Sequence, residues 1–91
     1  MDEKELISRV ASETGLSKKQ SVLAIRSVFD TIVWSVVWRD GIRIAGFGAF
    51  DKKIRKARVI HSPLTGQNIR VHEKSVPVFT PAANFKKELN P

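Results

Sequence analysis

The sequence predicts an α+β protein with a helical base, a small antiparallel sheet and a projecting β-ribbon arm. Three observations carry that prediction. Apolar residues recur at helical spacing through residues 1–40 and switch to strand-like alternation from Ile42 onward. The chain has 91 residues and no cysteine, so its core is small and has no disulfide to brace it. The positive charge is also uneven: of 16 Lys and Arg, seven fall within residues 52–74 beside a single acid, Glu73. One domain over residues 1–91 is expected. It divides into a helical dimerisation region over 1–40, a sheet over 41–80 that includes an arm over 52–74, and a terminal helix over 81–90.

The first helix opens at Asp2, whose carboxylate suits an N-cap, and Glu5 three residues on completes a capping-box pattern. Leu6, Ile7, Val10 and Ala11 share one face, and Gly15 is placed to end the helix in a left-handed conformation. Ser17-Lys18-Lys19-Gln20 is a second capping box, opening a longer helix to about Asp40 with Gly41 as its stop. Its stripe is Val22, Ile25, Val28, Phe29, Ile32, Val33, Val36 and Val37, with Trp34 and Trp38 along a second apolar edge. That is wider than one small protomer can cover. A like helix from another copy would cover it, which makes an obligate homodimer the expectation; the alternative is a central helix buried within one chain.

From Ile42 the period shortens. Ile42-Arg43-Ile44 alternates, Gly46-Phe47-Gly48 turns the chain, and Phe50 resumes a strand that continues through Ile54 to Val59 and Ile60. In Ser62-Pro63-Leu64-Thr65-Gly66 the proline fixes φ and the glycine supplies a positive φ, so this is a turn. Ile69, Val71, Val76, Val78 and Phe79 return as a strand, and Pro77 marks that return as an edge, a bulge or a break. Thr80-Pro81 suits an N-cap followed by proline at the first helical position, opening a short helix through Leu89.

Hydrophobic residues make up 42% and charged residues 27%, the balance of a soluble folded chain rather than a disordered one. The apolar runs are short, so no membrane span is expected, and the acidic start lacks a signal-peptide pattern. No cofactor and no metal site are expected, since His61 and His72 are the only histidines. Nor is an enzyme, because His61, His72, Asp30, Asp40, Asp51 and Ser62 fall into no nucleophile–base or phosphate-loop motif.

The ribbon over 52–74 points instead to a polyanion. It has too few apolar residues to pack both faces, so it should stand away from the body. A two-stranded ribbon fits a duplex groove, and its cations neutralise phosphates with release of counterions. A rigid apolar residue at its end could wedge between base steps and kink the duplex. Pro63 also serves as an ordinary turn former; its place at the end of a basic ribbon favours the wedge. Charge alone does not choose among DNA, RNA and an acidic protein. RNA binding stays open, although no aromatic residue lies within 51–78 to stack on bases. A purely structural dimerisation unit would leave the arm unexplained.

From Leu6-Ile7 through Leu16-Ser17-Lys18 and Gly46-Phe47-Gly48-Ala49-Phe50 to the arm Arg55-Lys56-Ala57-Arg58, its tip Pro63-Leu64-Thr65-Gly66 and the exit Val76-Pro77-Val78-Phe79, the chain resembles the bacterial histone-like HU and integration host factor family of DNA-bending proteins. The resemblance runs from about Asp2 to Leu89. It implies an intertwined homodimer with a helical base, a β-sheet saddle and two protruding β-ribbon arms that reach around double-stranded DNA. In that reading Lys52, Lys53, Arg55, Lys56 and Arg58 on the outgoing strand and Arg70 and Lys74 on the return touch phosphates or the minor groove. His61 lies at the tip, Pro63 intercalates, Lys86 of the terminal helix reaches flanking DNA, and backbone amides around Gly46 and Gly48 clamp a phosphate. Phe47, Phe50 and Phe79 match the aromatic core under the saddle.

The implied function is architectural: bending and compacting DNA with weak sequence preference, in the cytoplasm and associated with the nucleoid. A single sequence able to build the dimer points to the HU branch rather than to the sequence-preferring integration host factors, although a different second subunit stays open as a partner. The chain also departs from the family. It reads Ile60-His61-Ser62-Pro63 where glycine-arginine-asparagine-proline is common, Ala82-Ala83 where glycine-lysine is usual, and Glu3 where many members have lysine.

Overall fold

The computed structural model describes all 91 residues as three helices and five strands. Helix α1 spans Glu3–Thr14 and helix α2 spans Lys18–Trp38. Strands β1 (Ile42–Ile44), β2 (Gly48–Arg55), β3 (Arg58–His61), β4 (Asn68–Val71) and β5 (Lys74–Pro81) follow, and helix α3 (Ala83–Leu89) ends the chain. The strands form two antiparallel sheets, one ordered β1-β2-β5 and the other β3-β4.

The helix ends are set by local chemistry. The Asp2 carboxylate accepts from the Glu5 N–H at 2.9 Å, and Gly15 closes α1 at φ 75°. At α2 the capping box is reciprocal: Gln20 N–H donates to Ser17 Oγ at 3.1 Å, and Ser17 N–H donates to Gln20 Oε1 at 3.0 Å. The helix ends at Trp38, slightly short of the expected Asp40, and the Gly41 N–H returns to the Ser35 carbonyl at 3.1 Å. Gly41 has φ +89°, and a Cβ there would collide with the Phe50 carbonyl oxygen, so glycine is required on two counts. Glu3 pairs with Arg26 at 3.0 Å and ties α1 to α2; both side chains are well exposed, so the bond adds little stability.

Of the edge, bulge or break expected at Pro77 the structure shows the edge, whereas the expectation for Thr80-Pro81 needs correction. Pro77 does not break the return strand: β5 is continuous and pairs with β2 from Arg55↔Lys74 to Gly48↔Pro81. The strand lies at the sheet edge, where a residue without an N–H is tolerated. Thr80 and Pro81 do not open the terminal helix either. They remain in the β5 ladder, the Ala82 N–H donates to the Phe47 carbonyl at 2.9 Å, and Ala82 becomes an N-cap with no side-chain bond. Sheet pairing here outweighs the local capping preference.

No hydrophobic residue is buried; the buried side chains are Ser21 and Ser35. The accessible surface is 8060 Å², against about 5,300 Å² for a compact monomer of this mass. The radius of gyration is 19.2 Å, against about 12 Å for a compact chain of this length. Part of the excess is the extended arm, and the rest is the apolar side of α2. Phe29, Ile32, Val33 and Val36 face Phe50 and Val76 across an open apolar cavity of about 680 Å³. A folded chain does not leave such a surface in water, so the core is completed by a second copy.

Helix α2 also reaches the length and mean hydropathy of a bilayer span, contrary to the expectation drawn from short apolar runs. Ser, Thr, Arg26 and Asp30 interrupt every run, but the average over the helix is apolar. A helix shared between two copies has this composition as well.

Candidate nucleic-acid interface

The candidate site is the arm. Its base is the outer part of the β2–β5 pair, and its outer half is the separate β3–β4 ribbon, in register from Arg58↔Val71 to His61↔Asn68. The expected unbroken strand from Phe50 to Ile60 is therefore interrupted, at Lys56-Ala57 on one side and His72-Glu73 on the other. The last rung before the gap sets Arg55 opposite Lys74. Like charges directly across a ladder are destabilising, and the pairing resumes at Arg58 opposite Val71, on a ribbon where no like charges face each other.

At the end of the ribbon the Gly66 N–H donates to the Ser62 carbonyl at 2.9 Å and the Ser62 N–H to the Gln67 carbonyl at 2.8 Å. Gly66 supplies φ 72°. This closed turn holds Pro63 and Leu64 outward, with Leu64 95% exposed. His61 Nδ1 lies 3.3 Å from Asn68 Oδ1, a cross-strand bond in which the ring nitrogen donates.

Strand alternation places the cations on both faces. Lys53 and Arg55 share one face of β2, while Lys52 and Ile54 point to the other. On the outer ribbon Arg58 lies on the face of Ile60, Ile69 and Val71, and Arg70 on the face of Val59 and His61. Neither of the two ion pairs, Arg9–Glu13 and Arg26–Glu3, involves an arm residue. The arm cations therefore have no ion-pair partner, are exposed, and occupy both faces of the ribbon.

Lys52 differs from the rest. Its ammonium donates to the Val37 carbonyl at 3.2 Å, at the carbonyl-rich end of α2, where a cation also complements the helix dipole. It turns toward the body, away from the face of Lys53 and Arg55. Lys86 lies on the last turn of α3, well away from the arm in sequence. Gly46 sits at φ 76° in the turn closed by the Phe47 N–H on the Ile44 carbonyl at 3.0 Å. At Gly48 a Cβ would come within 2.6 Å of the Thr80 carbonyl oxygen and 2.7 Å of the Phe79 ring, so close packing of β2 on β5 requires glycine there.

Phe47, Phe50 and Phe79 form one aromatic cluster, with centroids 4.9 Å apart for Phe50–Phe79 and 5.4 Å for Phe47–Phe79. Phe85 of α3 joins it at 5.5 Å from Phe47. Sequence reasoning missed Phe85; the signal available was one aromatic residue on a short helix otherwise rich in lysine.

A chain whose core is finished by its own copy, and which extends a cationic two-stranded ribbon, defines a class: dimeric proteins that hold a polyanion between β-arms. The comparisons place it within that class. The sequence matches the profile described as bacterial DNA-binding protein over residues 1–90. It is 41% identical over 86 residues to DNA-binding protein HU 1 of Bacillus subtilis, covering 94% of each chain. It is 36% identical over 90 residues to DNA-binding protein HRL53 of Rhizobium leguminosarum, covering 99% of each. Among solved structures, the Anabaena HU–DNA cocrystal structure superposes with a TM-score of 0.90 at 30% identity, covering 100% of this chain and 99% of that one. An HU variant from Thermotoga maritima gives 0.70 at 30% identity, covering 98% and 99%. The chain belongs to the HU family of bacterial DNA-binding proteins.

Proposed function

We propose that two copies of this chain form an architectural protein that grips double-stranded DNA between their arms, bends it and compacts it with weak sequence preference. The observation that carries the reading is the arm itself: exposed on both faces, rich in Lys and Arg, and free of any internal ion pair. A ribbon with cations on both faces suits a groove, whose two phosphate walls it meets together. Lys53, Arg55, Lys56, Arg58, Arg70 and Lys74 make those contacts, with His61 at the tip. Lys52 holds the base of the arm to α2. Minor-groove readout follows width and deformability more than base identity, which supports weak sequence preference and favours nicked or flexible sites.

Pro63 is the intercalating wedge, held outward by the Ser62–Gln67 turn. The amides about Gly46 and Gly48, together with Lys86, reach the flanking duplex. The protein acts within the cytoplasm, associated with the nucleoid. No catalytic step enters this function.

Gel-shift titration with linear, nicked and four-way-junction DNA against matched RNA tests the reading. Tighter binding to nicked and junction DNA than to linear DNA and RNA is expected; equal binding to RNA would refute it. Pro63→Ala, followed by energy transfer between dyes at the duplex ends, tests the wedge. The bend should relax while most of the affinity stays, and an unchanged bend would remove Pro63 from that role.

A further inference from the structure

Helix α2 has a second apolar surface that the open cavity does not use. Val36 and Phe29 line the cavity, whereas Trp34 projects about 160° around the helix from Val36, with Leu23 and Trp38 beside it. Leu23 is 66%, Trp34 49% and Trp38 73% exposed, and Val37 is half exposed between the two surfaces. A copy seated in the cavity covers one side of the helix and leaves this one in water.

We propose that this outer face is a second self-association surface, through which one dimer joins another. The proposal builds on the dimer inferred above. The occupant is argued from charge and area. Asp30 lies one turn before Trp34 and has no ion-pair partner, and the Arg39 guanidinium lies 5.3 Å from the centroid of the Trp34 ring. The face thus has an acid one turn before Trp34 and a cation over the Trp34 ring on its other side.

Two copies crossing antiparallel about a two-fold axis at Trp34 would stack these rings and set each Asp30 opposite the Trp38–Arg39 end of its mate. That self-complementarity is what an isologous contact requires, and Asp30 makes the face a poor match for a polyanion. The exposed parts of Leu23, Trp34 and Trp38 amount to on the order of 450 Å² per copy. A pair therefore buries about 900 Å², in the range of weak, transient contacts, so the contact is weaker than the dimer's own. Each dimer has two such faces, one on each α2, so the contact repeats and dimers link into open chains.

Sedimentation equilibrium into the high-micromolar range, at salt that screens repulsion between chains of charge +7, tests this. The wild-type mass should rise with concentration from twice 10.2 kDa toward four times that value and beyond. Trp34→Ser with Trp38→Ser should stay at the dimer mass throughout while binding DNA as wild type does. Asp30→Arg should weaken association by about tenfold or more, and adding Arg39→Asp should restore it. A wild type that stays at the dimer mass, or a double tryptophan variant that associates equally, would overturn the proposal. So would phosphatidylglycerol vesicles binding through Trp34 and Trp38 in place of self-association. A mass of 10.2 kDa at all concentrations would instead refute the underlying dimer.

Discussion

Removing Arg55 and Arg58 should change how DNA affinity responds to salt, by an amount the arm geometry sets. Both side chains are exposed and unpaired, so each is expected to displace a counterion from the duplex. Alanine at both positions removes four cations per dimer. With about 0.9 counterions released per phosphate neutralised, the slope of log K against log salt should become shallower by about 3.6. Between 50 and 200 mM salt, the variant should then lose roughly 100-fold less affinity than wild type over the same range. Fluorescence anisotropy with a labelled duplex, titrated at five or so salt concentrations, measures the slope directly. Lys52→Ala is the internal control. Its ammonium is engaged by the Val37 carbonyl, so the slope should stay within about one unit of wild type. If Lys52→Ala flattens the slope as much per charge as the arginine pair does, the division of the arm into a gripping part and an anchoring part is wrong.

The remaining predictions concern the body. Phe29→Asp places a charge in the apolar cavity where the second copy seats, and should abolish both the dimer mass and cooperative unfolding; a folded dimeric variant would contradict the shared core. Because folding is coupled to association, the wild-type melting temperature should rise with protein concentration, and a concentration-independent value by calorimetry would refute the coupling. Gly41→Ala must accept φ +89° and a clash with the Phe50 carbonyl, so urea unfolding at fixed concentration should show a loss of at least about 2 kcal/mol. Ser17→Ala opens the reciprocal cap of α2 and should cost about 1 kcal/mol by the same measurement.

The elements governed by near neighbours were legible in the sequence. Ser17 with Gln20, Gly15 and the Ser62–Gly66 turn act within a few residues, and they fold as their chemistry dictates. The need for a second copy was also readable, because helix α2 has more apolar surface than 91 residues can cover. What escaped depends on parity and distance. Whether Lys52 points to the arm face or to α2 turns on strand register and on where Trp38 ends the helix, neither visible in a lysine-lysine pair. The gap at Lys56-Ala57 lies just beyond the rung where Arg55 faces Lys74, a pairing across nineteen residues of sequence. Thr80-Pro81 reads as a helix start in isolation, and only the β2 ladder holds it extended. Phe85 looked incidental until the fold brought it to Phe47.

Detached from the main sheet by that gap, the outer ribbon has four rungs and no hydrophobic layer beneath it. A hairpin of that size has little stability of its own in water. Its amides should therefore exchange with solvent far faster than those of the inner β2–β5 rungs until a duplex holds it shut. Closing the ribbon then draws on the energy of binding, so the protein surrenders some tightness. In return it gains a limb that can settle into furrows of differing breadth, which suits a molecule that must sit almost anywhere along a chromosome.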